Sequence, residues 1–343
     1  MLEARQACSG ATGRNGGHTK AASYRSFLSH ERELGLAEAV KIARTEYDNI
    51  IATHDLARKF GIDCASVICP TVDIIFSRTQ LMLGKKAIER MRQIMGEDDP
   101  AADYKIYTAE EARERFKSPD ALGAFEYTAG SLSAYAFTTG ILKLALAQGL
   151  NLQTTTPAEG LAWSSDPKGG YEYMMTRPST AINAGDIVIG GGLHQLPNDG
   201  ATRYGETDDS DLEPSIQKYL RECTPRFFGE NWGRDHDAGR IKREWSGIMG
   251  ASADSLPYVG AVPEVAPGLW MSCSFNGHGM VWCLKSAEAL VGMMTGDEAE
   301  QKVIRHWFPQ SSVVTADRMK AKFTGRKDLR APGETEFGER AKL

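Results

Sequence analysis

The stretch Ser9-Gly10-Ala11-Thr12-Gly13-Arg14-Asn15-Gly16-Gly17-His18 constrains the fold more than any other. Four glycines in ten residues make a poor helix or strand and a good backbone cradle. Glycine lets the main chain approach a ligand closely and adopt positive φ. The exposed N–H groups and Arg14 then suit a phosphate or an electron-rich ring. Just upstream, Leu2-Glu3-Ala4-Arg5 reads as a short apolar strand end closed by an acid, which a nucleotide-binding fold uses to hold a ribose hydroxyl.

The bulk of the chain narrows the class. Its 343 residues are enough for one large domain or two interleaved ones, and 41% hydrophobic with 25% charged content is that of a soluble globular protein. A net charge of −5 offers no general polyanion-binding surface, so nucleic acid is not an expected partner. No apolar run reaches the ~18 residues of a membrane span, and no apolar h-region opens the chain. The six cysteines (8, 64, 69, 223, 273 and 283) lack CxxC spacing and read as scattered reduced thiols. The final Ala341-Lys342-Leu343 fits the small–basic–leucine peroxisomal address, at the end of a polar tail running from Thr324. It gives the expectation of peroxisomal localisation through an import receptor, and otherwise a cytoplasmic protein.

Periodicity places the elements. Residues 34–60 read as one amphipathic helix with Leu36, Val40, Tyr47, Ile50, Ile51 and Leu56 on its apolar side and Gly61 at its end. Cys64 to Ser77 reads as a strand or hairpin, Leu81 to Met95 as a helix, and Thr108-Ala109-Glu110-Glu111 as the capping signal of another. Phe137 to Gln148 is predicted helical and leads past Gly149 into a strand at Leu152 to Thr156. Ile187-Val188-Ile189 reads as a buried strand running into Gly190-Gly191-Gly192. Ser215 to Cys223 and Gly279 to Thr295 read as helices, and Leu269 to Phe275 as an apolar strand. This alternation favours an α/β architecture.

A second constellation runs from Gly247-Ile248-Met249-Gly250 through Asp254-Ser255-Leu256-Pro257-Tyr258-Val259-Gly260 to Ser274-Phe275-Asn276-Gly277-His278-Gly279-Met280. A strand delivers the chain into a glycine pair at a helix start, where unpaired N–H groups and the helix macrodipole stabilise negative charge. A simple strand–turn–helix corner is the structural alternative. Asp208-Asp209-Ser210-Asp211 reads as a solvated, helix-capping loop rather than a metal cluster.

Taken together, Glu3 to Arg5, Ser9 to His18, Trp245 to Gly250, Asp254 to Gly260 and Asn276 to Met280 resemble the FAD-dependent oxidoreductases of the D-amino-acid-oxidase-like family. The branch with glycine and sarcosine, pipecolate and γ-glutamylputrescine oxidases is the nearest in pattern. The resemblance implies an α/β fold in which an FAD/NAD(P)-binding Rossmann-like domain is interleaved with a mixed-sheet substrate domain. On that pattern, residues 1–62, 126–163 and 246–300 form the discontinuous FAD domain and 63–125 with 164–245 the substrate domain. A C-terminal helix and polar tail over 301–343 complete the chain. The resemblance assigns Glu3 to the adenosine ribose. It assigns Ser9, Gly10, Thr12, Gly13, Arg14, Asn15, Gly16 and Gly17 to the pyrophosphate, ribityl chain and flavin. Gly277, His278, Gly279 and Met280 go to the flavin pyrimidine edge. Tyr173 and Arg177 are the candidates for a substrate carboxylate, Arg because it offers a bidentate clamp. Some relatives hold flavin through a cysteine where this chain has Gly247 to Gly250, so the implied FAD is non-covalent.

The implied reaction oxidises the C–N bond of an amine or amino acid, with hydride passing to flavin N5 and dioxygen returning as hydrogen peroxide. Two departures accompany the resemblance. The family's first strand and G-x-G-x-x-G loop precede the ribose-binding acid by about thirty residues, whereas Glu3 follows only Met1 and Leu2. A further strand is missing near Trp163 to Tyr171. The expectation is therefore a truncated Rossmann-like domain. The alternative function is an inactive remnant, or an incomplete gene model, that does not bind FAD. An NAD-dependent dehydrogenase fits the two-site glycine pattern less well.

Overall fold

The computed structural model describes every residue except Leu2, Ala4, 156–172, Pro178, 180–183, 198–199, 201–202, 204, 207, 236–238, 265–267 and 324–343. The expected gap near Trp163 and the Ala341-Lys342-Leu343 tail lie outside the described residues.

The N-terminal part runs α1 (Ala11–Arg14), β1 (His18–Thr19), α2 (Phe27–Leu34), α3 (Leu36–Lys59), β2 (Val67–Ile75) and α4 (Arg78–Met95). Then follow β3 (Tyr104–Tyr107), α5 (Ala109–Phe116), β4 (Gly123–Ser131) and α6 (Ala134–Ala147). The C-terminal part holds β5 (Tyr173–Thr176), β6 (Ile187–Gly190), α7 (Pro214–Phe228), β7 (Tyr258–Ala261), β8 (Trp270–Cys273), α8 (Cys283–Thr295), α9 (Glu298–Trp307) and α10 (Ala316–Lys320).

The largest sheet is built on β4. Along one edge β2 pairs with it for its full length, Val67 opposite Ser131 and Ile75 opposite Gly123. Along the other, β1 meets its end (Thr19 opposite Gly130) and β3 its beginning (Tyr104 opposite Tyr127). All of these pairings are antiparallel. Hairpins β5–β6 and β7–β8 complete the named sheets. The fold is mixed α/β, but a continuous parallel sheet is not among the described strands. Parallel pairing persists at two points. Gln153 N–H donates to Met1 O while Glu3 N–H donates to Gln153 O, each at 2.9 Å, the slanted pattern of parallel neighbours. Val259 bridges Val313 in the same sense.

Several local expectations correspond closely to the elements. Gly61 follows α3 at φ +60°, and Thr108 with Glu111 forms a reciprocal capping box on α5. β3 and β4 carry no counterpart in the sequence reading. Strand β6 needs correction: Ile187 is 42% exposed, so this segment is half of a surface hairpin rather than a buried strand.

Helix α3 is the shared wall of the molecule. Ala39 and Ala43 pack into a core with Phe27, Ile88, Met91 and Phe125, between α2, α4 and the main sheet. Ile42 and Ile50 pack into a second core with Val259, Val281, Trp282 and Phe308. Its buried stripe also carries Glu46, Asn49, Thr53 and His54, while Leu36, expected on the apolar side, is exposed.

Candidate functional site

The glycine-rich stretch is not wholly irregular, as its composition suggests. Ala11–Arg14 close a single helical turn, and Asn15 finishes it. The Asn15 amide Nδ2 donates to Ala11 O and Thr12 O at 3.0 Å, and its Oδ1 accepts the Gly17 N–H at 2.8 Å. Two glycines are dictated by the protein's own backbone. A Cβ on Gly17, which sits at φ +80°, would stand 2.2 Å from Leu132 O, and one on Gly13 would stand 2.5 Å from Cys8 O.

Arg14 does not offer its whole guanidinium to a ligand. Nη1 donates to Asp209 O and Ser246 O at 3.0 Å, and Nε lies 3.2 Å from Asp209 Oδ2. Asp209 also lies 3.5 Å from Arg5, and its side chain is 11% exposed. The expected solvated loop is therefore an anchor at this residue: Asp209 ties the glycine loop to the later chain. Among the described residues there is no metal-binding cluster. Trp245 Nε1 donates to Arg14 O at 2.8 Å, which brings the 245–250 segment against the loop.

The second motif forms the expected strand-to-turn-to-helix passage. Asn276 (φ +53°) and Gly277 (φ +81°) turn the chain after β8. Asn276 N–H donates to Gly250 O at 3.0 Å, and its Oδ1 accepts the Ser252 N–H at 2.9 Å. His278 N–H donates to Phe275 O, and Gly279–Val281 make one tight turn before α8. β1 packs against that turn, and Met280 joins Leu132 and Ala134 in a small apolar cluster. The structure thus brings the two glycine motifs, 266 sequence positions apart between Gly10 and Asn276, into one region, where β1 meets the Gly279–Val281 turn.

Tyr173 reaches the same region. Its ring meets His18 edge-on, centroids 5.2 Å apart at 78°, over Gly16. Gly190 opposite has no side chain to obstruct it: a Cβ there would lie 2.4 Å from the Tyr173 ring. Arg177 stands at the far end of the strand, four residues on and about 13 Å along extended chain. Glu3 is at the end of the parallel-paired segment, its Oε1 accepting the Arg5 N–H at 3.1 Å. Burial pulls the His18 imidazole below its ordinary pKa, against a hydrogen bond with the Met174 backbone.

Unsatisfied polar atoms mark where a ligand fits. Among the described residues seven buried side-chain N or O atoms have no hydrogen-bond partner. Three of them are Ser9 Oγ, His18 Nε2 and Arg177 Nε, at the start and end of the glycine loop and on the Tyr173 hairpin. Most buried polar atoms in proteins are paired, so unpartnered Ser9 Oγ and His18 Nε2 at the two ends of the glycine loop fit a polar ligand such as a flavin nucleotide.

Sequence reasoning missed the polar stripe of α3. Glu46 accepts from Trp282 Nε1 (3.2 Å) and from Ser23 Oγ. Asn49 bridges Met280 O (3.1 Å) and Lys285 N–H (3.0 Å). His54 shares hydrogen bonds with Thr19 Oγ1 (2.8 Å) and Ser66 Oγ (2.6 Å). The available signal was their spacing from Ile42 and Ile50, which puts them on one helix face.

The profile of the family described as FAD dependent oxidoreductase matches residues 1–199 and 163–293, and the chain belongs to this family. A glycine oxidase of Pseudomonas putida is 25% identical over 114 residues, a match covering 33% of this chain and 27% of that protein's length. Among solved structures, glycine oxidase from Geobacillus kaustophilus superposes with a TM-score of 0.62 at 16% identity, covering 87% of this chain and 88% of that one. Iminodiacetate oxidase from a Chelativorans species gives 0.63 at 14% identity, covering 89% and 91%. L-amino acid deaminase from Proteus myxofaciens, solved with anthranilate, gives 0.63 at 15%, covering 93% and 87%. At these identities the structural likeness speaks for the fold. No helix among the described residues is long and apolar enough to cross a membrane.

Proposed function

We propose that this chain is an FAD-dependent oxidase of a small amine or amino acid, holding its flavin non-covalently. The observation that carries the reading is the packing of β1, with the buried and unpartnered His18 Nε2, against the Gly279–Val281 turn, where the two glycine motifs meet. Family membership and the glycine-oxidase-like fold support it. When bound, FAD supplies a two-electron acceptor at N5, and dioxygen takes the electrons on to give hydrogen peroxide.

The chain's own groups hold and orient. Ser9 and residues 12–17 meet the polar part of the cofactor, Glu3 the ribose, and Gly277 to Met280 the pyrimidine edge, where backbone N–H groups favour developing negative charge. Tyr173 and Arg177 receive the substrate, with Arg177 as the carboxylate partner. A neutral amine held there would present its α C–H; the hydride would pass to the bound flavin, leaving an imine that water would hydrolyse. Buried and drawn toward the neutral form, His18 can hydrogen-bond the ligand through Nε2 without adding a charge.

The test is to titrate the purified full chain with FAD by flavin fluorescence, then to assay peroxide formation on sarcosine, pipecolate and proline. Saturable uptake, a yellow supernatant after acid precipitation, and peroxide from one of these amines are expected. No FAD uptake would favour the inactive remnant. Flavin retained in the acid pellet would overturn non-covalent attachment.

A further inference from the structure

Helix α3 reaches both glycine motifs from one buried face. His54 holds Thr19, next to His18, and one turn and a half earlier Asn49 holds the turn that leads into α8. The two anchors are separated by about 7.5 Å of helix rise, on a single rigid element. Asn49 is 1% exposed and makes two opposed bonds with one carboxamide. Nδ2 donates to Met280 O, and Oδ1 accepts the N–H of Lys285, one of the first-turn donors of α8 that no helical carbonyl can satisfy. Glu46 holds Trp282 between those two points. Thr53 Oγ1, one turn further along, donates to Asn49 O.

We infer that Asn49 is a positioning residue for the flavin: its carboxamide fixes the Gly277–Met280 segment to α3, and so sets the pyrimidine-edge donors relative to the His18 side of the site. This rests on the reading that Gly277 to Met280 meets the flavin. Only a group that is donor and acceptor at once satisfies both Met280 O and Lys285 N–H. Aspartate keeps the acceptor and turns an oxygen toward a carbonyl. Leucine of similar size removes both bonds.

The experiment compares Asn49→Asp and Asn49→Leu with Ile88→Val in the full chain. Ile88 is fully buried in the core between α2, α4 and the main sheet, which holds no residue of either glycine motif, so Ile88→Val reports general loosening. Two readouts are needed. In the flavin-free protein, amide exchange over residues 279–286 should rise about tenfold in Asn49→Leu, the weight of one exchanged hydrogen bond, and stay near wild type in Ile88→Val. With FAD, both Asn49 variants should bind about tenfold more weakly, and the visible absorption bands of the bound flavin should shift. Ile88→Val should lower the melting temperature while leaving FAD affinity and spectrum unchanged. Unchanged exchange in Asn49→Leu would overturn the anchor itself, whatever FAD does. Faster exchange with wild-type FAD affinity and spectrum would overturn the positioning role. Failure of the wild-type chain to take up FAD would strike the proposed function, and with it Asn49's role toward flavin.

Discussion

Glu46 should make the protein lose stability as pH rises from acidic to neutral, the reverse of the usual behaviour of a paired carboxylate. It lies on the inner face of α3, 6% exposed, with hydrogen bonds from Ser23 and Trp282 that only partly offset its desolvation. Burial raises its pKa from 4.5 to about 7. The folded value lies above the unfolded one, so the native state holds the proton more tightly. This group costs nothing below about pH 4.5. Its penalty grows as pH rises towards 7, and is complete above 7. At ~1.36 kcal/mol per pH unit, the gap corresponds to about 3 kcal/mol. Glu46→Gln removes the charge and keeps a carbonyl oxygen for the Trp282 indole. The variant should therefore gain about 2–3 kcal/mol over wild type near pH 8 and little or nothing near pH 5. Urea unfolding followed by tryptophan fluorescence, across that range, gives the difference directly, and groups distant from Glu46 cancel in it. A difference independent of pH would refute the argument. So would a Gln variant less stable than wild type near pH 8, because the ionised carboxylate would then be a net stabiliser.

Two further outcomes follow from the site. Gly17→Ala should cost on the order of 3 kcal/mol or more, since it combines a left-handed backbone with a clash against Leu132 O. Gly149→Ala has a similar φ of +96° but open space around it and should cost only the backbone strain, about 1–2 kcal/mol. Equal melting temperatures for the two variants would refute the packing explanation. Arg177→Met should raise KM for an amino-acid substrate by about 10- to 100-fold, as expected for losing a charge-assisted pair, with kcat and FAD affinity little changed. An equal effect on an amine without a carboxylate would remove Arg177 from that role.

The residues whose chemistry is local were legible in the sequence. Gly61, Thr108 with Glu111, and the Asn276–Gly277 turn announce themselves through backbone conformations or caps that few residue types supply. Sheet partners were less legible. β4 owes its central place to pairing with β1, β2 and β3 from distant parts of the chain, and nothing in 123–131 reports that alone. Arg14 and Asp209 show the same limit for charges: each reads as solvent- or ligand-facing until the fold places them 3.2 Å apart. Helix α3 is the sharper case. Its apolar side was read from its largest hydrophobic residues, yet the fold buries Glu46, Asn49, Thr53 and His54 and leaves Leu36 at the surface. A polar residue on a buried stripe looks like an error of periodicity until its partners are known, and those partners lie as far away as residues 280–285. Burial of such groups without partners would cost several kcal/mol, so they are tolerated only where each bond is made. That is why the stripe has no signature in hydrophobic pattern alone, and why it falls where two separated glycine motifs must be held in register.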